Sequence, residues 1–268
     1  SVPVNIVICG LIILGGIGFV VVQDLLKRLR WRLLVRRGKR PRLSTHTKLA
    51  LTVTAILLLV GFVGVYVMES HATLRGAPIK ERVLASLFQS VTARTAGFNT
   101  VNTGMGALAP ATAFLLMALM YVGGSPGSAA GGIKTTTLGI MVASIVATLR
   151  GRSKAHLFHH TVPEETVHRV VSIILLSLVA LGAGVFILLI TEDAPFQEVL
   201  FDAFSAFGTV GLTQGLTGPG CACSVAGRLA LVALMFIGRL GPLTLVLSVA
   251  QLKEPEVYEL PEGHVMVG

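Results

Sequence analysis

Long apolar stretches dominate this chain and leave few folds open to it. A helix needs roughly 20 apolar residues to cross the hydrocarbon core of a bilayer. Only 13% of the 268 residues are charged, whereas soluble domains carry about 25%. We therefore predict an all-α membrane protein. We predict helices at about 4–22, 48–68, 168–191 and 225–250, and a longer apolar tract at about 111–149.

Two further apolar segments, at about 81–93 and 195–207, are too short to span the membrane and fit re-entrant half-helices. Each is followed by a Thr-x-Gly-apolar turn, Thr-Ala-Gly-Phe at 95–98 and Thr-Val-Gly-Leu at 209–212. One such turn alone would favour an ordinary connection between helices. Two copies in matching surroundings favour a functional element.

The chemistry of these turns suits a cation. An ion leaving water must exchange its hydration shell for other oxygen atoms, and backbone carbonyls can supply them. The half-helices would direct the partly negative ends of their dipoles toward the ion, and the glycines permit torsions that turn successive carbonyls toward one axis. We predict a selectivity filter made of Thr95, Ala96, Gly97 and Phe98 and of Thr209, Val210, Gly211 and Leu212.

The surroundings of the two turns repeat as well. Met-Tyr-Val-Gly-Gly at 120–124 aligns with Met-Phe-Ile-Gly-Arg at 235–239. Such a period indicates repeated modules, each consisting of a helix, a half-helix, a turn and a second helix. The segment Leu-Gly-Gly-Ile-Gly-Phe at 14–19 resembles the same second helix, with no half-helix or turn before it. We therefore expect the sequence to open within an earlier module.

Glycine and proline interrupt the long tract at about 111–149, which is nearly twice as long as one crossing requires. Such a stretch does not stay helical, and irregular backbone at membrane depth must be buried in protein or line water. Residues 127–135 miss the phosphate-binding pattern G-x-x-x-x-G-K-[ST] by one inserted residue. No strand is expected before them, which also disfavours nucleotide binding. We predict a movable gating loop beneath the ion site, formed by Gly123, Gly124, Pro126, Gly127, Gly131, Gly132 and Lys134.

Two arginines interrupt apolar surroundings. Arg239 would be costly in lipid, so we expect it to face the pore or a carbonyl or carboxylate partner. Two interpretations stay open: a charge that raises a barrier to cations in the pore, or an arginine neutralised by carbonyls that locks helices together. For Arg94, just before the first turn, bracing of the filter and exposure to solvent are equally open. Gly241-Pro242 should bend the helix beyond Arg239.

Basic residues cluster in two loops, at 27–42 and 150–169, as the positive-inside rule requires of short cytoplasmic loops. The Thr-x-Gly turns would then face the opposite side, near Glu69, Glu192 and Asp193. Contact with anionic membrane lipid fits the first loop. Binding of nucleic acid is disfavoured because the chain has one Trp, no interleaved aromatics and no recognisable module.

Together these segments resemble the Trk/Ktr/HKT potassium transporters. The resemblance is carried by residues 95–100, 123–137, 208–213 and 238–242, and the closing Val-Met-Val-Gly at 265–268 is similar to the bacterial Ktr branch. It implies a subunit with four helix–pore-loop–helix repeats and broken second helices. The implied division is 1–47, the end of an earlier repeat and a basic cytoplasmic loop; 48–150, the third repeat; 151–250, the fourth repeat; and 251–268, a cytoplasmic tail.

The resemblance also implies a function. A homodimer in the cell membrane would take up K⁺, with Na⁺ as the alternative ion, and would dock on a cytoplasmic ring of nucleotide-binding regulatory subunits. Nucleotide would act only through that partner, Arg239 would face the pore, and K⁺ would bind at Thr95, Gly97, Thr209 and Gly211.

Two other function classes remain to be weighed. A sodium- or proton-coupled symporter ranks second, because the spans offer few acids for a relay, Asp24 and Asp202 being the nearest. A membrane enzyme is disfavoured, since the sequence has no His-Glu-x-x-His pattern and no Ser/His/Asp set.

Overall fold

The computed structural model describes residues 2–35, 42–101, 103–104, 107–218 and 223–241. Within these ranges all regular secondary structure is helical apart from one short hairpin. The basic residues at 36–40, Pro242, the end of the helix predicted to reach 250 and the tail 251–268 lie outside the described residues.

Nine α-helices and one two-stranded hairpin make up the described part of the chain. A five-residue π-helical turn, Trp31–Val35, follows α2. In chain order the elements are α1 Val2–Ile17, α2 Phe19–Arg30, α3 Thr45–Glu69, α4 Ile79–Thr92, α5 Pro110–Tyr121, α6 Thr135–Leu149, β1 His156–Leu157, β2 His160–Thr161, α7 Glu164–Thr191, α8 Phe196–Gly208 and α9 Val225–Leu240.

Two of the described helices are long and apolar enough to cross a bilayer. They are α3 with 25 residues and α7 with 28, containing stretches of mean hydropathy 2.4 and 3.0. The pair α1 and α2 would make a third span if it is taken as one bent helix. The expectation of a helical membrane protein is confirmed by these elements.

The prediction of one continuous helix at about 4–22 was wrong. The helix breaks at Gly18, where α1 and α2 meet at 104°. Gly18 has φ +89°, and a Cβ there would come within 2.5 Å of the Pro126 carbonyl oxygen. The bend therefore depends on a glycine and on the loop between α5 and α6 that packs against it, neither of which alters the hydropathy of the segment.

The two half-helices α4 and α8 are built alike. Each begins directly after a proline, Pro78 or Pro195, whose fixed φ and missing N–H suit a helix start. Each carries a glutamate in its first turn, Glu81 or Glu198, where the helix dipole favours negative charge. Their C-terminal halves are buried, and both helices end at a Thr-x-Gly turn.

Packing between α5 and α8 joins the two helical modules. Leu116 and Met120 from α5 and Phe201 from α8 are fully buried in one cluster. Tyr121 at the end of α5 stacks on Phe207, with ring centroids 5.8 Å apart. Burial of large side chains on this scale contributes roughly 1.5–3 kcal/mol for each residue, so the half-helices are held firmly under the turns that follow them.

The hairpin of β1 and β2 connects α6 to α7 and has no counterpart among the sequence predictions. Its strands pair antiparallel, with Leu157 opposite His160. Phe158 and His159 at its tip both have positive φ, the geometry of the tight turns that suit twisted hairpins. Neither residue is the glycine or asparagine that usually marks such a turn, so the sequence carried no signal for it.

Candidate functional site

The first Thr-x-Gly turn continues directly from α4. The amide of Ala96 donates to the carbonyl of Thr92 at 3.1 Å, and the amide of Gly97 donates to the same oxygen at 3.4 Å. The Thr92 hydroxyl in turn donates to the carbonyl of Phe98 at 2.7 Å. These bonds fix the turn to the last residue of its half-helix.

The second turn is tied to α8 in a similar way. The amide of Val210 donates to the carbonyl of Ser205 at 2.8 Å. The amide of Gly211 donates to the Ser205 hydroxyl at 3.1 Å, and the amide of Thr209 donates to Ala206 at 2.9 Å. The preceding half-helix therefore accepts from the amides of Ala96 and Gly97 in the first turn and of Thr209, Val210 and Gly211 in the second.

The backbone torsions of the two turns follow one pattern. Thr95 and Gly97 have φ +69° and +78°, and Thr209 and Gly211 have φ +52° and +94°, while the residue between each pair is not in this region. Left-handed threonines are uncommon. Their recurrence at equivalent positions marks the two turns as the same constrained structure.

The carbonyl oxygens of these turns are mostly unbonded. Within the described ranges, no hydrogen bond ends on the carbonyls of residues 95–97 or 209–211. Val210 is buried, Thr95, Ala96, Gly97 and Thr209 are half-buried, and Gly211 is exposed. Turns with satisfied donors and free acceptors are suited chemically to hold a cation.

Gly97 and Gly211 lie next to each other. A Cβ on Gly97 would be 3.3 Å from the Cα of Gly211 and would collide with the Val210 carbonyl. The structure therefore brings together the two turns that the sequence analysis grouped. Val210 and Leu212 are buried, whereas Phe98 is 58% exposed and does not pack into the core of the described residues.

Two acids shape the segments that leave the turns, and the sequence analysis did not predict this role. Asp202 accepts from the hydroxyls of Thr213 and Thr217 at 2.7 and 2.8 Å and from the amides of Gln214 and Thr217 at 2.9 and 3.0 Å. Glu69 accepts from the Thr73 hydroxyl at 2.6 Å and from the Ala109 amide at 3.1 Å. For Asp202 the signal in the sequence was an acid within an apolar half-helix, whereas Glu69 is the last residue of α3.

The loop between α5 and α6 is closed at its base. Val122 and Ile133 form a parallel bridge. The amide of Gly123 donates to Ile133 at 3.0 Å, and the amide of Thr135 donates to Gly124 at 3.0 Å. The predicted non-helical break at 123–134 is present, and its two ends lie side by side.

The tip of this loop is bonded to both neighbouring modules. On one side, the amides of Ser125 and Ala129 donate to the carbonyls of Gly16 and Gly15 at 2.9 and 3.2 Å. On the other side, the amide of Gly132 donates to the carbonyl of Gly238 in α9 at 3.0 Å. The loop thus crosses between the break after α1 and the end of α9.

The same loop packs against the threonines of both turns. A Cβ on Gly131 would lie 2.8 Å from the Cγ2 of Thr209 and 2.9 Å from the Gly208 carbonyl. A Cβ on Gly123 would lie 3.5 Å from the Cγ2 of Thr95. Only a backbone without side chains can approach the turns this closely, which accounts for the glycines in the loop.

Three basic side chains donate to backbone carbonyls of the loop. Lys134 Nζ donates to Ala130 at 2.7 Å, and the Arg239 guanidinium donates to Ala129. Arg94 donates to Gly123 at 2.7 Å. Arg94 is therefore neither exposed nor bonded to its own turn, which differs from both expectations for it.

Comparison with known proteins gives these features a family. The TrkH family, described as cation transport proteins, matches residues 1–259 of the chain. The chain belongs to this family. It is 38% identical over 267 residues to the Ktr system potassium uptake protein B of Bacillus subtilis, covering 99% of this chain and 57% of that protein. Members are membrane transporters of cations, so the expectation that the chain is not an enzyme is confirmed.

A second relative supports the family, and a solved structure supports the fold. The potassium/sodium uptake protein NtpJ of Enterococcus hirae is 37% identical over 269 residues, 98% of this chain and 56% of that protein. The crystal structure of the potassium transporter TrkH from Vibrio parahaemolyticus matches with a TM-score of 0.71 at 16% identity, covering 93% of this chain and 52% of that one. The chain thus spans a little over half the length of the curated relatives it matches.

Proposed function

We propose that this chain is part of the ion-conducting subunit of a potassium uptake system, with the two Thr-x-Gly turns as two segments of its selectivity filter. The observation that carries the proposal is the pair of adjacent turns with satisfied amides, unbonded carbonyls and the same alternating torsions. Relatives are named as potassium or potassium/sodium uptake proteins, which supports K⁺ as the ion and Na⁺ as its competitor.

K⁺ would be held at Thr95, Gly97, Thr209 and Gly211. Carbonyl oxygens of the turns replace its lost water, and the two threonines add hydroxyl oxygens. The Thr209 hydroxyl is buried beside Gly131 of the loop and has no hydrogen-bond partner within the described residues, which leaves its oxygen unpaired. A ring around one ion needs more contributors than two, and the rest of a subunit as long as its relatives would supply them.

The loop at 123–134 acts as the gate in this proposal. It lies against both threonines, and hydrogen bonds between backbone groups and from the Lys134 and Arg239 side chains hold it in place. Such contacts can be exchanged for water at small net cost, since each hydrogen bond contributes only about 0.5–1.5 kcal/mol. The hydrogen bond from Arg239 to the Ala129 carbonyl supports the interpretation that this arginine locks the loop. Its positive charge is also compatible with a barrier to cations.

Coupled symport is the weaker candidate. Of the two acids considered for a relay, Asp202 uses both carboxylate oxygens to hold the segment after the second Thr-x-Gly turn. Asp24 accepts from the hydroxyls of Ser44 and Thr47, each at 2.7 Å, and so ties α2 to α3. Both acids have structural partners, which favours conduction through carbonyls without an acid relay.

We further propose the assembly implied by the sequence: a homodimer in the cell membrane, with basic loops and the C-terminal tail in the cytoplasm. The repeat boundaries at 48–150 and 151–250 belong to the same proposal. A cytoplasmic ring of nucleotide-binding subunits would regulate the gate, as the word "system" in the relatives' names supports. Contact with anionic lipid fits the basic residues of α2.

The test uses the complete subunit in cells that lack other K⁺ uptake. Gly97→Ser and Gly211→Ser should lower the ratio of Rb⁺ to Na⁺ uptake, because a side chain strains the left-handed torsion at both glycines and at Gly97 also collides with the Val210 carbonyl. Gly182→Ser is the matched control, since a Cβ at Gly182 in α7 meets nothing within 4 Å. An unchanged ratio in both filter variants would refute the filter assignment.

A further inference from the structure

Arg94 is a buried cation that links three parts of the molecule. It is 7% exposed and follows the C-terminal end of α4, directly before Thr95. Its guanidinium donates to the carbonyl of Gly123 at 2.7 Å and to the carbonyl of Thr54 in α3 at 3.4 Å. The filter turn, the base of the loop and a spanning helix therefore meet at one side chain.

This arrangement is expensive for stability alone. No carboxylate pairs with Arg94 within the described residues, and an unpaired buried charge is normally unfavourable. An apolar side chain of similar length would fill the same space without that cost. What the guanidinium adds is directional bonding to two carbonyls at once through a planar fork.

The site also leaves the guanidinium room to shift. A cavity of about 10 Å³ lies beside Arg94, lined by Gly16 of the first module and Gly124 of the loop. That volume is close to the space one water molecule needs. Arg94 can therefore follow a displacement of Gly123 instead of breaking from it, and its backbone carries the movement to Thr95.

Apart from Arg94, the loop makes no hydrogen bond to residues 92–98 within the described ranges, and Gly123 contacts the Thr95 methyl group only by packing. The tip of the loop bonds to Gly15, Gly16 and Gly238 and to the side chains of Lys134 and Arg239. None of these partners lies within residues 92–98. At its base, Arg94 is the side chain that connects the loop with the residue preceding the filter turn.

We propose that Arg94 is a positioning residue that couples the gating loop to the third filter segment, so that release of the loop changes the discrimination between K⁺ and Na⁺. This rests on the proposed filter and gate. The predicted signature is a loss of coupling, which a residue that only stabilises the fold would not produce.

The experiment is a double-mutant cycle on the complete subunit. Lys134→Gln removes the bond to Ala130 and loosens the loop. In the wild-type background it should raise Rb⁺ uptake and change the Rb⁺/Na⁺ uptake ratio at least twofold. In the Arg94→Met background it should still raise uptake but leave the ratio unchanged. Arg94→Lys keeps a donor in place and should restore part of the effect on the ratio.

Arg82→Met is the matched control. Arg82 lies in α4 and also donates to a backbone carbonyl, that of Ala77 at 2.8 Å, away from the loop. Coupling should persist in this variant. If Arg94→Met does not fold, as judged by thermal unfolding of the purified protein, the comparison of Arg94→Lys with wild type decides, and coupling of equal size in both overturns the proposal.

Failure of the proposed function has a different signature. If Gly97→Ser leaves the Rb⁺/Na⁺ ratio unchanged, the filter assignment itself is wrong. If Gly97→Ser changes the ratio, while Lys134→Gln changes it equally with and without Arg94, the filter stands and only the coupling role of Arg94 is refuted.

Discussion

Gly131 of the loop and Thr209 of the second Thr-x-Gly turn are packed so tightly that a Cβ on Gly131 would lie 2.8 Å from the Thr209 Cγ2. The contact connects the proposed gate to the proposed filter through van der Waals surfaces alone. Gly131 does not have a positive φ. Its lack of a side chain therefore serves space and not torsion, which makes the contact open to a clean steric test.

Gly131→Ala should push the loop away from the turn. Overpacking of a close contact costs typically about 1–3 kcal/mol, and we expect the strain to be relieved by displacement of the loop, raising basal Rb⁺ uptake. Gly182→Ala, at a site with open space, should leave uptake unchanged. Equal uptake by wild type and Gly131→Ala would show that this contact does not restrain the loop.

Gly97→Ala should be more damaging than Gly211→Ala. Both glycines have left-handed torsions, at φ +78° and +94°, which cost an alanine on the order of 1–2 kcal/mol. At Gly97 the added methyl also collides with the Val210 carbonyl, whereas at Gly211 its nearest neighbour is 3.9 Å away. Thermal unfolding of the purified subunit should rank the two variants in this order. The reverse order would contradict the described packing.

Asp202→Asn should weaken the hydrogen bonds that hold the segment after the second Thr-x-Gly turn. An asparagine offers one acceptor oxygen where the aspartate accepts four hydrogen bonds. Bonds to charged groups contribute about 1.5–3 kcal/mol, so we expect a loss of about 2 kcal/mol in the free energy of unfolding.

Transport separates this structural role of Asp202 from an acid relay. Uptake by Asp202→Asn should respond to external pH and Na⁺ as the wild type does, because Asp202 holds the backbone after the turn and does not take part in proton transfer. A variant in which uptake became independent of the Na⁺ or proton gradient would instead favour coupled symport. Gln197→Ala is a suitable comparison, since Gln197 bonds only to the side chain of Gln214 on the same segment.

The pH dependence of stability should show a contribution from Glu192, which follows the end of α7. Hydrogen bonds from the Ser224 hydroxyl and amide hold the pKa of the Glu192 carboxyl below its ordinary value. A lowered pKa stabilises the folded state above the ordinary value of about 4.3, and this stabilisation is lost as the pH falls through the folded-state pKa.

The check is thermal unfolding between about pH 3 and pH 6. Glu192→Gln and Ser224→Ala should both flatten the fall in unfolding temperature toward acid pH. Ser172→Ala, which removes a serine bonded within α7, should leave that dependence as in the wild type. The assignment fails if the two test variants keep the full wild-type slope.

The half-helices and spans could be predicted because several local signals agree there. The segment at about 81–93 corresponds to Ile79–Thr92, and that at about 195–207 to Phe196–Gly208. A proline before, an apolar run within and a Thr-x-Gly turn after each helix specify its bounds independently. The left-handed torsions of the two turns agree with the same pattern.

Other features depend on approach in three dimensions and left no such signal. Hydropathy runs smoothly across Gly18, so the break there becomes evident only where the loop packs against it. The position of Arg94 just before the first turn is compatible with a brace of that turn, yet its guanidinium donates to the carbonyl of Gly123, 29 positions away. The role of Asp202 likewise depends on how the chain folds back after the turn.

The loop tip is bonded on one flank to Gly15 and Gly16 and on the other to Gly238. The loop is therefore restrained at two separate points. In the proposed gate, loosening one side would make opening easier while the bonds on the other side still hold, so full opening depends on both neighbours.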